Sequence, residues 1–454
     1  MANKERDSFG SRFGVLVALA GSAIGLGNLW RFPYLVGNNG GAAFIIMYVV
    51  FVIFLCLPIM VSEFVIGRRT QANVFGGINR LAPKSAWSLI GILSVAAVIF
   101  IMAFYFVVGG WTIEYILKSF SASFLTSDNT ALASFFGEFI SSPVTPAIMM
   151  MVFLGLTALI VVAGIKDGIE KYSKIMMPGL FLLIIILCVR SLTLPGASEG
   201  LKFLFSPDFS KLRPDSVLAA LGQAFFSLSL GMGCMITYGS YIAKKESLIR
   251  MSFITAGADT LFAIIAGIAI MPAVFAFGMP PAQGPGLVSI ILPQIFAQMP
   301  LGNIFSIAFF IILFVAAITS AISMLEVVVA YFMEELKMTR RAAVITTCVI
   351  VAILGSLSSL SQGTLKEYTL FGKSLFDIFD YTTSNIMLPV GGLFIVLFVG
   401  WKMKRSDVLD ELTSGGTIPL KRYILDVTMF CIKFLAPVAI SFVLLNSIGL
   451  IKFF

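Results

Sequence analysis

The 454-residue chain has no histidine, and its five cysteines (Cys56, Cys188, Cys234, Cys348 and Cys431) all lie in apolar segments with no paired spacing. Those two absences remove the usual zinc ligand sets and any disulfide framework. There is also no imidazole for general acid–base chemistry, no clustered acid pair and no nucleophile motif, so nothing in the sequence would carry out an enzymatic reaction. Charge is equally scarce. Only 12% of residues are Asp, Glu, Lys or Arg, 59% are hydrophobic, and the mean hydropathy is +1.01. A soluble domain is nearer ~45–50% apolar, so the chain reads as a polytopic membrane protein.

Eleven apolar stretches approach the ~20 residues needed to span a bilayer. They run over 13–36, 42–67, 87–117, 146–164, 172–190, 216–242, 251–277, 304–333, 342–357, 374–400 and 422–450. With the N-terminus inside, 21 of the 31 basic residues fall on cytoplasmic ends and eight on the opposite side, as the positive-inside rule requires. The net charge of +8 therefore needs no nucleic-acid partner to explain it. The polar first dozen residues lead into segment one without a small-residue cleavage site, so that segment is expected to stay in the mature chain. The stretch from Pro272 to Asn303 has no charged residue and reads as a lid folded back over a vestibule.

Segment one holds GSAIGLGNLWRFP, residues 21–33. Three glycines at ~1 kcal/mol each against Ala weaken a helix there, and unpaired backbone groups cost several kcal/mol more in hydrocarbon. A break near Ile24 would leave carbonyls suited to a cation below it and N–H groups suited to an anion above it. Gly21 and Gly25 also fit GxxxG, and close helix packing is the commoner use of membrane glycines. Segment six repeats the pattern, with Gly231 and Gly233 interrupting LGQAFFSLSLGMGCMITYGSY beside Ser227 and Ser229. Two such segments, five helices apart, point to an inverted-repeat transporter with its site at mid-membrane. Thr319 and Ser320 add hydroxyls at membrane depth in segment eight, and such hydroxyls usually bond back to their own helix. Asp259 is an acid in mid-membrane, costing ~2.5 kcal/mol or more, which marks it as functional by default.

On GSAIGLGNLWRFPY, NNGGAAF, Tyr105 ahead of GGWT, QAFFSLSLGMG with ITYGSY, and AAITSAIS, the chain closely resembles the neurotransmitter:sodium symporters over nearly its whole length. It departs from the family pattern in having eleven helices where twelve are usual, Met232 where an aromatic is frequent, and Asp259 where Asn is common. The resemblance implies an all-α, LeuT-type fold in one transporter domain. A first five-helix repeat would cover 13–190, a second, inverted repeat 216–400, and an eleventh helix 422–450, with helices one and six broken at mid-membrane. It implies sodium-coupled symport of a neutral, hydrophobic or aromatic L-amino acid by alternating access. An ion channel or solute sensor on the same scaffold is the rival reading.

Carried over by position, the first sodium site would use the Ala23 carbonyl, Asn28, Ser227, Asp259 and the carboxylate of the substrate. The second would use carbonyls of Gly21, Ile24 and Ala316 with the hydroxyls of Thr319 and Ser320. The amino acid would be held by Ala23, Leu26, Gly27, Tyr105, Phe226, Ser227 and Ser229, with Ile101, Met232, Ser320 and Met324 around its side chain. Arg31, helped by Gln223, would pair with Asp380 as a water-reachable outer gate. Arg6 and Glu334, with Phe9, Ser240 and Tyr241, would close the inside. Gly168 and Pro178 match a spacing at which the fifth helix unwinds in the family. Some members balance the sodium charge with chloride and others with an acid one turn further along helix seven. That later position here is Ala263, so Asp259 is expected to be the fixed countercharge, with no chloride requirement.

Overall fold

The structure, a computed structural model, describes residues 8–121, 124–281 and 286–447. The described residues are helical, with a lone bridge between Leu370 and Lys373 in place of any strand. Among the described residues, nine continuous helices are long and apolar enough to cross a membrane. They are Ala42–Thr70, Ser88–Ser119, Thr145–Val162, Ile165–Leu192, Leu248–Ala276, Gly302–Glu335, Arg340–Leu360, Leu375–Lys402 and Arg422–Asn446. Two further spans are broken. Arg12–Ala23 and Gly27–Asn38 meet at a 44° bend, and Pro214–Ser227 and Cys234–Gly239 are separated by a non-helical turn over 228–233. In chain order these are spans 1 to 11, with the breaks in spans 1 and 6. The fold is two inverted sets of five spans plus an eleventh.

Local chemistry starts the helices. Ser11 caps span 1 by accepting from the Gly14 N–H, and Ser247, Thr339 and Ser374 do the same for spans 7, 9 and 10. Of the nine continuous helices, span 3 is the most enclosed, with 72% of its apolar window buried, and span 5 the least, at 28%. Span 3 therefore stands at the centre beside span 8, while spans 4, 5, 9 and 11 face lipid.

Span 5 begins at Ile165 with a wide turn through Glu170, several residues before the apolar pattern starts at 172. The extra turn holds Lys166, Asp167 and Glu170, which hide it from a hydropathy count. The stretch around Pro178 is wound helix from Lys171 to Leu192, so the expected unwinding between Gly168 and Pro178 is not the state seen here. Of the 272–303 stretch, 282–285 lie outside the described residues, and Leu287–Ala297 is a short, largely buried helix. Tyr115 donates to the Ser289 carbonyl at 2.8 Å and ties that helix to span 3.

Arg68, at the end of span 2, is completely buried. Its guanidinium donates to a Glu411 carboxylate oxygen at 2.8 Å, to the Glu246 carbonyl at 2.6 Å and to the Glu411 carbonyl. A buried cation needs this number of acceptors. They fasten the amphipathic helix Arg405–Thr413 beneath the bundle.

Candidate functional site

The break in span 1 runs from Ile24, whose backbone is extended, to Gly27. It frees carbonyls that hydrocarbon cannot satisfy, and hydroxyls on two other spans supply the partners. Ser229 donates to the Ser22 carbonyl at 2.8 Å. The Ser320 Oγ lies 3.3, 3.2 and 3.3 Å from the carbonyls of Gly21, Ser22 and Ile24. The Thr319 Oγ1 is 3.4 Å from the Ile24 carbonyl and 3.0 Å from that of Ala316, and it also bonds back to Val315 at 3.1 Å. Gly21, Ile24, Ala316, Thr319 and Ser320 thus meet in one oxygen cluster joining spans 1 and 8. Neutral oxygens without sulfur or imidazole suit a hard monovalent cation.

Asn28, Ser227 and Asp259 form a second cluster. The Asn28 amide donates to Asp259 Oδ1 at 2.8 Å and to its backbone carbonyl at 3.1 Å. The Ser227 hydroxyl lies 2.9 and 3.0 Å from the two carboxylate oxygens. Tyr48, absent from the sequence reading, donates to Oδ2 at 3.0 Å. All four residues are buried, so Asp259 is a carboxylate held by three polar side chains from spans 1, 2 and 6.

Between the two clusters lies a tight cavity of ≈ 10 Å³ whose lining includes Ala23, Gly27, Ile101, Tyr105, Phe226 and Met232. Ser227, Ser229, Ser320 and Met324 line it too, with Ser22 and Gly25, which sequence reasoning missed. Leu26 is not in the wall, but its backbone N–H donates to the Tyr105 hydroxyl at 3.3 Å. A Cβ on Gly25 would run into Ser320 Oγ and the Tyr105 hydroxyl, so glycine there serves close packing as well as the break. Two boundary conditions, polar at the breaks and apolar at Ile101, Phe226, Met232 and Met324, face each other across the cavity. This arrangement fits a small solute with a charged end and an apolar end.

The second break is stabilised from span 2. Ser229, Gly231 and Gly233 all have positive φ, and the Gly231 N–H donates to Glu63 Oε1 at 2.7 Å while its carbonyl accepts from Ser94 at 3.2 Å. Glu63 is fully buried. It was legible by the argument that singled out Asp259, an acid inside an apolar segment, and was overlooked there.

The outer closure differs from the expectation in two respects. Arg31 is 5% exposed, so it is no surface pair open to water, although the Asp380 side chain keeps 26% exposure. Their closest atoms are 3.8 Å apart, and Ser384 bridges them, accepting from Arg31 at 2.9 Å and donating to Asp380 at 3.0 Å. Gln223 does not assist Arg31; its amide donates to the Gly27 carbonyl at 2.8 Å and so supports the broken helix. Beneath this, the Arg31 guanidinium sits 5.1 Å from the centre of the Phe226 ring that roofs the cavity.

On the inner side, Arg6 lies outside the described residues. Phe9 packs edge-on against Tyr238 and Tyr241 at 5.8 and 6.1 Å. Ser240 bonds back to the Thr237 carbonyl at 2.5 Å. Glu334 accepts from the backbone and side chain of Asn73 at 2.9 and 3.0 Å. Tyr241 donates at 2.8 Å to the buried Glu326, which also pairs with Arg340. The cavity is therefore covered by packed side chains on both sides.

Residues 6–134 and 124–453 match the model of the sodium:neurotransmitter symporter family. The chain is 41% identical over 453 residues, the whole of both chains, to an uncharacterised sodium-dependent transporter of Bacillus subtilis. It is 37% identical to an uncharacterised sodium-dependent transporter of Haemophilus influenzae, covering 91% of this chain and 92% of that one. The crystal structure of MhsT in complex with L-phenylalanine superimposes with a TM-score of 0.91 at 46% identity, over 97% of this chain and 100% of the other.

Proposed function

Because the chain belongs to the sodium:neurotransmitter symporter family, we propose that it couples sodium entry to uptake of a neutral L-amino acid with a large apolar or aromatic side chain. It would sit in the bacterial inner (plasma) membrane, N-terminus inside and C-terminus outside. The observation that carries the reading is the cavity between the two breaks, with an oxygen cluster on either side of it and Ile101, Phe226, Met232 and Met324 in its wall. Two sodium ions fit this division. One would join Asn28, Ser227, Asp259 and the Ala23 carbonyl with the substrate carboxylate, so that solute and ion complete each other's site. The other would take the five neutral oxygens of Gly21, Ile24, Ala316, Thr319 and Ser320, and would hold span 1 against span 8.

The zwitterion is read by the broken helices themselves. Its carboxylate faces the Leu26 and Gly27 end of span 1 and the Tyr105 hydroxyl; its ammonium faces carbonyls near Ala23, Phe226, Ser227 and Ser229. Methionines at 232 and 324 make the apolar wall deformable. The phenylalanine in the MhsT complex supports an aromatic solute. No bond is made or broken, and the work is done by ordered release. The Arg31–Ser384–Asp380 bridge with Phe226 would close the outside, and Phe9 with Tyr241 and the Glu334 region would close the inside.

Equilibrium binding of labelled L-phenylalanine to the purified chain tests the reading. Saturable binding in sodium, absent in potassium and displaced better by leucine or tryptophan than by alanine, is expected. Equal binding in both salts would overturn it.

A further inference from the structure

Away from the transport site, the C-terminal half of span 4 and the N-terminal half of span 9 flank a wide-open hollow of ≈ 380 Å³. Its wall is Met151, Leu154, Ala158, Leu159 and Val162 on one side and Val344, Ile345, Cys348, Val349 and Ala352 on the other. That volume lies within the ~300–1,000 Å³ of ordinary ligand pockets. The hollow exists because small residues alternate with large ones: Ala158 and Ala352 recede, and a Cβ on Gly155 would meet nothing within 4 Å. The rims are exposed, Leu159 at 72% and Ile345 at 63%. In a bilayer, only hydrocarbon reaches such a site.

One end of the hollow carries charge. Two consecutive arginines open span 9 and part company. Arg340 turns inward, donating to the Val161 carbonyl at 2.8 Å and pairing with Glu326, and so clamps the ends of spans 4 and 9 together at the mouth. Arg341 is exposed and has no ion pair among the described residues. Its position repeats at Ile345, Cys348, Val349 and Ala352, spacings of four, seven, eight and eleven that keep one helix face. Arg341 therefore belongs to the same helix face that lines the hollow, one turn before its first residue. Nearby acids are engaged: Glu326 by Arg340, and Glu334 and Glu335 by Asn73. Lys337 is also exposed and donates to the Glu334 carbonyl. An apolar slot capped by an unpaired cation complements an amphiphile with an anionic head.

We propose that this slot is a binding site for one anionic phospholipid, with an acyl chain between spans 4 and 9 and the phosphate on Arg341. Its occupant would brace the joint that Arg340 clamps, independently of the solute.

Native mass spectrometry of the full-length protein, stripped of lipid and titrated with phosphatidylglycerol or phosphatidylcholine, tests the assignment. The unmodified protein should retain one phosphatidylglycerol about fivefold better than phosphatidylcholine, the effect of one basic residue at an anionic headgroup. Arg341→Gln should erase that preference, and Ala158→Phe, which fills the slot, should reduce retention of both lipids. Sodium-dependent phenylalanine binding by each variant reports that it has folded. Retention unchanged in both variants, or a dimer that Ala158→Phe dissolves, would overturn the proposal.

Discussion

Thr319 offers its hydroxyl to the Ile24 carbonyl on span 1 as well as to its own helix, and Ser320 offers its hydroxyl to carbonyls of span 1 alone. The cluster they form has no formal charge, so each oxygen weighs heavily. Thr319→Ala or Ser320→Ala should weaken sodium affinity about fivefold, on the scale of ~1 kcal/mol for one lost polar contact. Sodium titration of phenylalanine binding reads this directly, and an unchanged midpoint would remove these residues from the site. Met232 acts on the other wall. Met232→Trp should penalise bulky solutes by roughly tenfold or more, since overpacking costs ~1–3 kcal/mol, while sparing alanine. Competition by a size series separates this from misfolding, which would reduce all solutes equally. In the proposed reading, Asp259 is the fixed negative charge that Ala263, one turn further along span 7, cannot be. Transport should therefore be independent of chloride. Asp259→Asn should weaken sodium binding and make activity respond to added chloride; strict chloride dependence of the unmodified protein would contradict this.

At the scale of elements, hydropathy located the spans well because each buries or wets a length fixed by the bilayer. The breaks were legible from their repetition: one glycine cluster in an apolar run more often serves close helix packing, but two of them five helices apart point to interrupted helices. What was not legible follows from side chains whose role depends on distant partners. Ser384 bridges Arg31 to Asp380 from a turn later on span 10, and Tyr48 reaches Asp259 from span 2; neither stands out by composition. Gln223 was misread because its neighbour in space is the Gly27 carbonyl, not the guanidinium. The opening of span 5 was hidden by its own charges. Glu170 accepts from the Gly10 N–H at 2.6 Å, from Ser11 at 2.9 Å and from Lys174 at 2.5 Å, so span 5 is latched to the entry of span 1. Pro178 lacks the N–H that would bond residue 174, which leaves the turn above that latch weak. Hydrogen exchange across Lys171–Met176 should accelerate when sodium is removed; equally slow exchange in both states would argue against unwinding.

For the whole molecule, the account is that two closures flank one cavity and that sodium and solute decide together which closure holds. The outer closure has few bonds, an arginine shared between Ser384 and Asp380 and lying against the Phe226 ring. The inner one is broader, with Phe9 on two tyrosines and Glu326 tied to Tyr241 and Arg340. A channel would not need both. Uptake of labelled L-phenylalanine into proteoliposomes holding the full chain, with and without an inward sodium gradient, tests this most directly. Saturable accumulation above the external concentration, collapsing when the gradient is dissipated, is the expected result. Flux that does not saturate, or that proceeds equally without sodium, would contradict it.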